Sequence, residues 1–371
     1  MRELFTTLRV KAGEYPQFLW FWQASCLEIH QTQRLTGEQL FAYSSPMPNG
    51  LLEIEGEQEL TKRKNSYIGE HYRAEWAVTL FHGDRLQLLE EIPDTAARLI
   101  VTSPPYNIGK KYEKRMGFDD YLSLQRATLT ECARTLAANG SLCWQVGNHI
   151  GKDGEVFPLD IFIYGICKDL GLKLRNRIVW CFEHGLHCRK RLSGRYETIL
   201  WFTKSDDYVF NLDSIRVPQK YPGKKYFKGE KAGQYSCNPL GKNPGDLWTI
   251  PNVKHNHVEK TIHPCQFPIE LVERLVLALT NRGDLVVDPY IGAGSAACAA
   301  VLHNRRAAGA DTAASYLNVA KERVKRALDG DLRRRPLGRP IYQPSPGDRI
   351  AQRPENFSRD SSIQPPLFAT A

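Results

Sequence analysis

From Trp76 onward, the apolar positions alternate between short continuous runs and longer stripes of helical period. AVTLFHGDRLQLLEEI (residues 77–92) reads as a short strand, a Gly83-Asp84 turn and a helix. ARLIVTSPPY (97–106) reads as a buried strand running into a loop. YLSLQRATLTECARTLAANGSLCWQVG (121–147) then predicts a helix, a turn at Asn139-Gly140 and a second apolar strand. A helix over 158–170 and the strand IVWCF (178–182) follow. After a break, Pro268 opens the amphipathic helix IELVERLVLALT. The strand DLVVDPY, a glycine loop, the helix SAACAAVLH, a short strand RAAGAD and the helix SYLNVAKERVKRAL complete the series. Apolar strands alternating with helices build a mostly parallel sheet with both faces covered, so the expected class is α/β.

Three segments fall outside this rhythm. Residues 1–73 mix an aromatic cluster (Phe18, Trp20, Phe21, Trp22) with a charged run and predict no element, so they stay unassigned. Residues 329–371 carry seven Pro and seven Arg without apolar periodicity and are expected to be a disordered basic tail. Between Gly185 and Glu259 the pattern gives way to Gly, Pro, Lys and aromatics. From Arg216 to Lys260, nine Lys and Arg face three Asp and Glu, interleaved with Tyr221, Tyr226, Phe227, Tyr235 and Trp248. A solvated loop has such charge; the added aromatics favour nucleic-acid contact. Arg189, Lys190 and Arg191 open this region and are candidate phosphate ligands, as are Lys224, Lys225 and Lys228 within it.

Bulk properties sharpen this picture only in part. The 371 residues carry a net charge of +9, which suits a polyanionic partner without proving one. Nine cysteines stand singly, with no Cys-x-x-Cys pair, as expected of reduced thiols in a cytoplasmic protein. No membrane span or signal peptide is expected. The His and Cys residues of HGLHC (184–188) and those at 255–265 match no zinc spacing, so no metal is expected.

Two short motifs carry the candidate chemistry. DPYIGAG (288–294) lies between a strand and a helix, where Gly292 and Gly294 permit a tight turn and close approach of a ligand. Asp311, at the end of the next strand, suits ribose hydroxyls. Such a loop alone fits several nucleotide-type cofactors or mere helix packing. TSPPYN (102–107) ends the strand RLIVT. An exocyclic base amine is a poor nucleophile because its lone pair is delocalised into the ring. Two acceptors aimed at its hydrogens, Ser103 Oγ and the Pro104 carbonyl, would turn that lone pair outward. Pro104 and Pro105 stiffen the backbone, and Tyr106 is placed to stack on an extruded base.

In their order and spacing, Ser103-Pro104-Pro105-Tyr106, Tyr290-Ile-Gly-Ala-Gly294 and HPCQFP (263–268) resemble the beta class of DNA amino-methyltransferases, over residues 76–328. In that class the catalytic motif precedes the cofactor motif and a target-recognition region separates them. This chain departs from the pattern in having Tyr290 for Phe and Phe267 for Lys. The resemblance implies a Rossmann-like methyltransferase fold with an inserted recognition region and S-adenosylmethionine as cofactor. Asp84, Asp288, Tyr290, Gly292, Gly294, Ser295 and Asp311 would hold it. It further implies a catalytic half over 74–185, target recognition over 186–262 and a cofactor half over 263–328. Double-stranded DNA is the implied substrate, a restriction endonuclease the implied companion, and a monomer or homodimer the implied state. In the family, Ser at the first motif position leans toward cytosine N4; adenine N6 stays open. A noncatalytic DNA-binding relic, or a methylase of RNA or protein amines, are the remaining readings.

Replacing Lys224, Lys225 and Lys228 together with Ala should weaken DNA binding broadly. It should also flatten the salt dependence by about one unit of slope per lost phosphate contact. Fluorescence anisotropy over a salt series measures both, and an unchanged slope removes these lysines from the interface.

Overall fold

The computed structural model describes residues 68–352, apart from 110–112, 114, 152, 183–184 and 186. Most of the unassigned segment 1–73 therefore lies outside the described residues. In chain order the elements are β1 (Ile68–Gly69), β2 (Val78–His82), α1 (Arg85–Glu91), β3 (Ala97–Thr102), α2 (Phe118–Thr135) and β4 (Leu136–Val146). Next come β5 (Asn148–Ile150), β6 (Val156–Pro158), α3 (Leu159–Asp169), β7 (Lys173–Cys181), β8 (Tyr196–Thr203) and β9 (Leu247–Thr249). The chain continues with α4 (Ile269–Leu279), β10 (Leu285–Asp288), α5 (Ser295–Leu302), β11 (Arg306–Asp311) and α6 (Ala314–Asp329).

Nine strands form one sheet in the order β1-β2-β11-β10-β3-β4-β8-β7-β9. All neighbours run parallel except β4–β8 and β7–β8. Period-2 alternation sends strand side chains to opposite faces. Val286 joins the core under α4, α5 and α6, while Leu285 and Val287 join the core under α1, α2 and α3. Leu99 and Val101 divide from Ile100 in the same way, while Ala97, before the register shift between Ala97 and Leu99, lies on the side of Ile100. The small residues of α5 let helices close tightly, since a Cβ on Gly294 would stand 2.8 Å from the Ala320 methyl. The expected α/β class and its parallel sheet are present.

Three expectations need correction. Asn139-Gly140 is no turn between elements but a bulge inside β4, where the register against β3 shifts between Ala97 and Leu99. The expected recognition region does not begin as an insert at 186, because β8 lies inside those bounds and pairs between β4 and β7 in the sheet. Its apolar run ILWF sits one turn of chain beyond the basic loop, and an antiparallel hairpin return breaks the strand–helix rhythm that marks the rest. Ile215, Trp248 and Ile250 from the same stretch are core residues.

The basic tail is not free over its first part. Arg335 forms a buried ion pair with Glu270 on α4, and its backbone N–H donates to Glu259 Oε1 at 3.1 Å. Gly338 N–H donates to Glu270 Oε1 at 3.1 Å, and Arg334 Nη1 reaches Glu273 at 2.8 Å. Composition alone gave no sign that these arginines meet a row of carboxylates on α4. Residues 353–371 lie outside the described residues.

Arg335→Ala should lower stability by about 3 kcal/mol, because Glu270 would remain buried without its partner. Urea unfolding measures this, and a change below about 0.5 kcal/mol, typical of surface sites, would show the pair to be dispensable.

Candidate active site

The sheet itself locates a crevice. β3 and β10 are neighbours, but the chain leaves them in opposite directions, β10 through α5 to β11 and β3 through α2 to β4. Loops that diverge at such a reversal open a cleft beyond the carboxyl ends of the strands. Here the cleft is a cavity of about 750 Å³, and both motif loops line it. Asp84, Ser103, Pro104, Pro105, Tyr106, Asp288, Tyr290, Gly292, Ser295 and Asp311 all border it. Gly294 does not; it serves the contact of α5 with α6.

One buried group ties the two loops together. Thr102 Oγ1, at the end of β3, donates to Asp288 Oδ1 at 2.5 Å, and Tyr290 N–H donates to the same oxygen at 3.1 Å. Burial pushes the Asp288 carboxyl up to about 7, against the two hydrogen bonds that favour its charged form. Burial also raises Asp311, whose Oδ1 accepts from Ala313 N–H at 2.8 Å.

Asp84 caps α1, accepting from Leu86 N–H at 2.8 Å, and pairs with Arg85 at 2.6 Å. The Arg85 guanidinium lies 5.3 Å over the Tyr290 ring and donates to Thr128 at 3.0 Å. Tyr290 is thus fixed from the α1–α2 side. On the other side HPCQFP forms the wall. Ser295, expected among the cofactor contacts, borders the cavity and donates its hydroxyl to the Phe267 carbonyl at 2.8 Å. Arg323 donates to Ser295 Oγ and to the Ala293 carbonyl, bracing the same wall. Gly292 has φ +48°, and a Cβ there would come within 3.0 Å of His263 Nε2. Burial, aided by Lys260, lowers His263 to about 4, so the imidazole facing the loop is neutral at neutral pH.

On the far side of the cavity, Tyr106 OH donates to Gln145 Oε1 at 2.7 Å and lies 3.1 Å from Ser103 Oγ. Gln145 Nε2 donates to Glu197 Oε2 at 2.5 Å. Sequence reading missed Gln145, Glu197 and His263. An acidic residue near the start of the apolar run YETILWFT was the available signal for Glu197, because carboxylates are rarely placed in such strands without a partner.

Of the candidate phosphate ligands, only Arg191 borders the cavity. Arg189 and Lys190 are outside its lining, and Lys224, Lys225 and Lys228 are exposed on a separate loop. That loop is held by its own backbone, with Tyr226 N–H on Gln234 O at 2.9 Å, and Lys225 Nζ lies 5.2 Å over the Tyr235 ring. Among the described residues, no three His, Cys, Asp or Glu gather as a metal site. No helix there is long and apolar enough to cross a membrane.

Comparison with known proteins decides the family. The DNA methylase family of N6 and N4 methyltransferases matches residues 97–322. This chain is a member of that family. The methylase is 48% identical over 241 residues to the Type II methyltransferase M.BglII of Bacillus subtilis, covering 65% of this chain and 67% of the relative. Its fold is shared with PvuII DNA methyltransferase, cytosine-N4-specific, at TM-score 0.55 and 19% identity, covering 72% of this chain and 94% of that one. A Thermus thermophilus protein described as a putative DNA modification methylase, solved in complex with S-adenosyl-L-methionine, matches at TM-score 0.50 and 28% identity, covering 68% of this chain and 94% of that one.

Asp288→Asn tests the buried tie by pH. The native carboxyl titrates near 7 and the unfolded one near 3.8, so the wild type binds more protons folded than unfolded between these values. Its stability relative to the variant should therefore fall as pH rises from 4 to 7, by up to about 1.4 kcal/mol per pH unit. Unfolding curves of both proteins that keep a constant gap across this window would contradict the buried titration.

Proposed function

We propose that this methylase transfers a methyl group from S-adenosylmethionine to the exocyclic amine of a base extruded from double-stranded DNA, with cytosine N4 as the acceptor. The observation that carries the reading is one cavity shared by the glycine loop and Ser103, fastened to each other by Thr102 and Asp288.

The residues present fit the cofactor. A turn at Gly292 without a side chain, flanked by the carboxylates of Asp311 and Asp84 along the strand ends, suits an adenosine with its ribose hydroxyls. When bound, S-adenosylmethionine supplies an electrophilic methyl group on a sulfonium. The chain's part is positional and electrostatic. Ser103 Oγ and the Pro104 carbonyl accept the two amine hydrogens and draw the nitrogen lone pair out of conjugation. Tyr106 packs against the ring of the base, and the cavity walls exclude water. Ser103, a neutral acceptor where related enzymes acting on adenine lean to Asp, supports cytosine. Arg189, Lys190, Arg191 and the loop of Lys224, Lys225 and Lys228 supply positive charge for the phosphates of the duplex. A restriction endonuclease of the same specificity is the companion this reading expects.

Expression in a methylation-free host, followed by nucleoside mass spectrometry of its DNA, tests the reading. N4-methylcytosine is expected, N6-methyladenine would reassign the base, and no methylated nucleoside would overturn the function. Ser103→Ala should lower turnover by about a hundredfold or more while cofactor affinity by calorimetry holds. Undiminished turnover in that variant would exclude Ser103 from the chemistry.

A further inference from the structure

Ser103 has a choice that its position alone does not make. A hydroxyl at hydrogen-bond distance from an amine can offer its proton or a lone pair, and only the lone pair helps the nitrogen attack. The neighbours on the cavity wall settle which. Glu197 Oε2 is an acceptor, so the Gln145 group 2.5 Å away is the amide nitrogen and its donor. The Gln145 oxygen is then left facing Tyr106, and at 2.7 Å it accepts the phenolic proton. Tyr106 OH has only that one proton, so across the 3.1 Å contact it is Ser103 that donates. With its proton turned toward Tyr106, Ser103 Oγ presents lone pairs to the cavity.

We infer that Glu197 is a positioning residue for methyl transfer. Its carboxylate sets the direction of the hydrogen bonds through Gln145 and Tyr106, so that Ser103 meets the base amine as an acceptor. The inference rests on the amino-methyltransferase reading above and adds to it a residue from the start of β8. Packing supports the arrangement. Gln145 is buried, with 1% of its surface exposed, which locks the amide in place. Gly147, just beyond β4, leaves room for both partners, since a Cβ there would stand 3.0 Å from the Tyr106 ring and 3.3 Å from Glu197 Oε1. Tyr106 OH also lies 3.3 Å from Glu197 Oε2, a second acceptor that reinforces the same direction. Glutamine at 197 would keep the shape but donate as readily as accept, and the chain would lose its fixed sense.

The test uses the full-length protein and incorporation of labelled methyl groups into unmethylated bacteriophage DNA. Glu197→Gln should lower kcat by about tenfold or more, with KM for DNA and cofactor affinity within about twofold of wild type. Glu197→Asp, which restores the charge, should recover part of the loss. Gln145→Met cuts the same chain one link closer and should reproduce the defect, which keeps the inference testable if one variant does not fold. Combining Glu197→Gln with Tyr106→Phe should cost no more than the worse single change, because both act through one chain. A purely structural Glu197 would instead give losses that multiply, or a change in cofactor affinity, or no rescue by Asp. Any of these, or undiminished kcat in Glu197→Gln, overturns the inference and leaves the methylase reading standing. A wild-type protein without incorporation overturns both.

Discussion

The hydrogen bond from Thr102 to Asp288 holds together the two halves of the site. It joins the ends of β3 and β10, the neighbouring strands from which the chain departs in opposite directions. No short stretch of chain links these loops; 186 residues separate the partners. With each loop grown from its own strand, backbone pairing fixes the strands side by side but leaves the loop beyond each end free to splay. A buried carboxylate that accepts from both sides removes that freedom, and its raised pKa records what burial costs the charged form. The position of Ser103 relative to the glycine loop, on which the proposed transfer depends, follows from this contact.

The opposite wall is held by a second polar system reaching to the segment after α6. Glu259 accepts from Ile269 N–H at the start of α4 and from Arg335 N–H, while Gln266 Nε2 donates to the Glu259 carbonyl. HPCQFP therefore hangs between α4 and the segment around Arg335, and Ser295 with Arg323 closes it onto α5. His263 is placed against Gly292 by this bracing rather than by any contact of its own loop alone. Buried ion pairs of this sort are weak contributors to net stability compared with apolar packing, but removing one partner is costly. Their effect here is to fix geometry around Gly292, which has no side chain of its own to hold it.

How much of this could be read from sequence follows from the range over which each feature is decided. The elements of the parallel half were legible because each is local: an apolar run of strand length, then a stripe of helical period, then a turn residue such as Gly83 or Gly294. The two motif loops were legible for the same reason, and the parallel alternation brought them to one edge of the sheet. β8 was not, because its partners β4 and β7 are set by an antiparallel return across a long irregular connection. Missing β8 meant missing Glu197. Gln145 sat in a recognised strand, but its meaning depends on the two residues it joins, 39 and 52 positions away. The first part of the tail, around Arg334 and Arg335, was misread from composition, since proline and arginine content cannot reveal that Glu270 and Glu273 wait on α4. Motif position placed Ser295 at the cavity, which it borders, but could not show that its hydroxyl donates to the Phe267 carbonyl.

The stretch assigned to recognition by its composition divides, in the structure, by what each part can leave exposed. Residues that pack, β8, β9 with Trp248, and Ile250, belong to the sheet and its core. What stays outside is short and organised by main-chain bonds, as between Lys224 and Ser236 or Tyr226 and Gln234. That organisation lets Phe227 stand 90% exposed and Tyr235 66% exposed among lysines without a core to hold them. Large exposed aromatics on a rigid basic loop gain nothing in the free protein; against nucleic acid they gain stacking and phosphate contacts together. A loop prefolded in this way also loses little conformational entropy on binding. On the proposed reading, its separation from the motif loops along the chain is an advantage, since contacts to DNA can vary there while Ser103, Tyr106, Gln145 and Glu197 keep their mutual geometry.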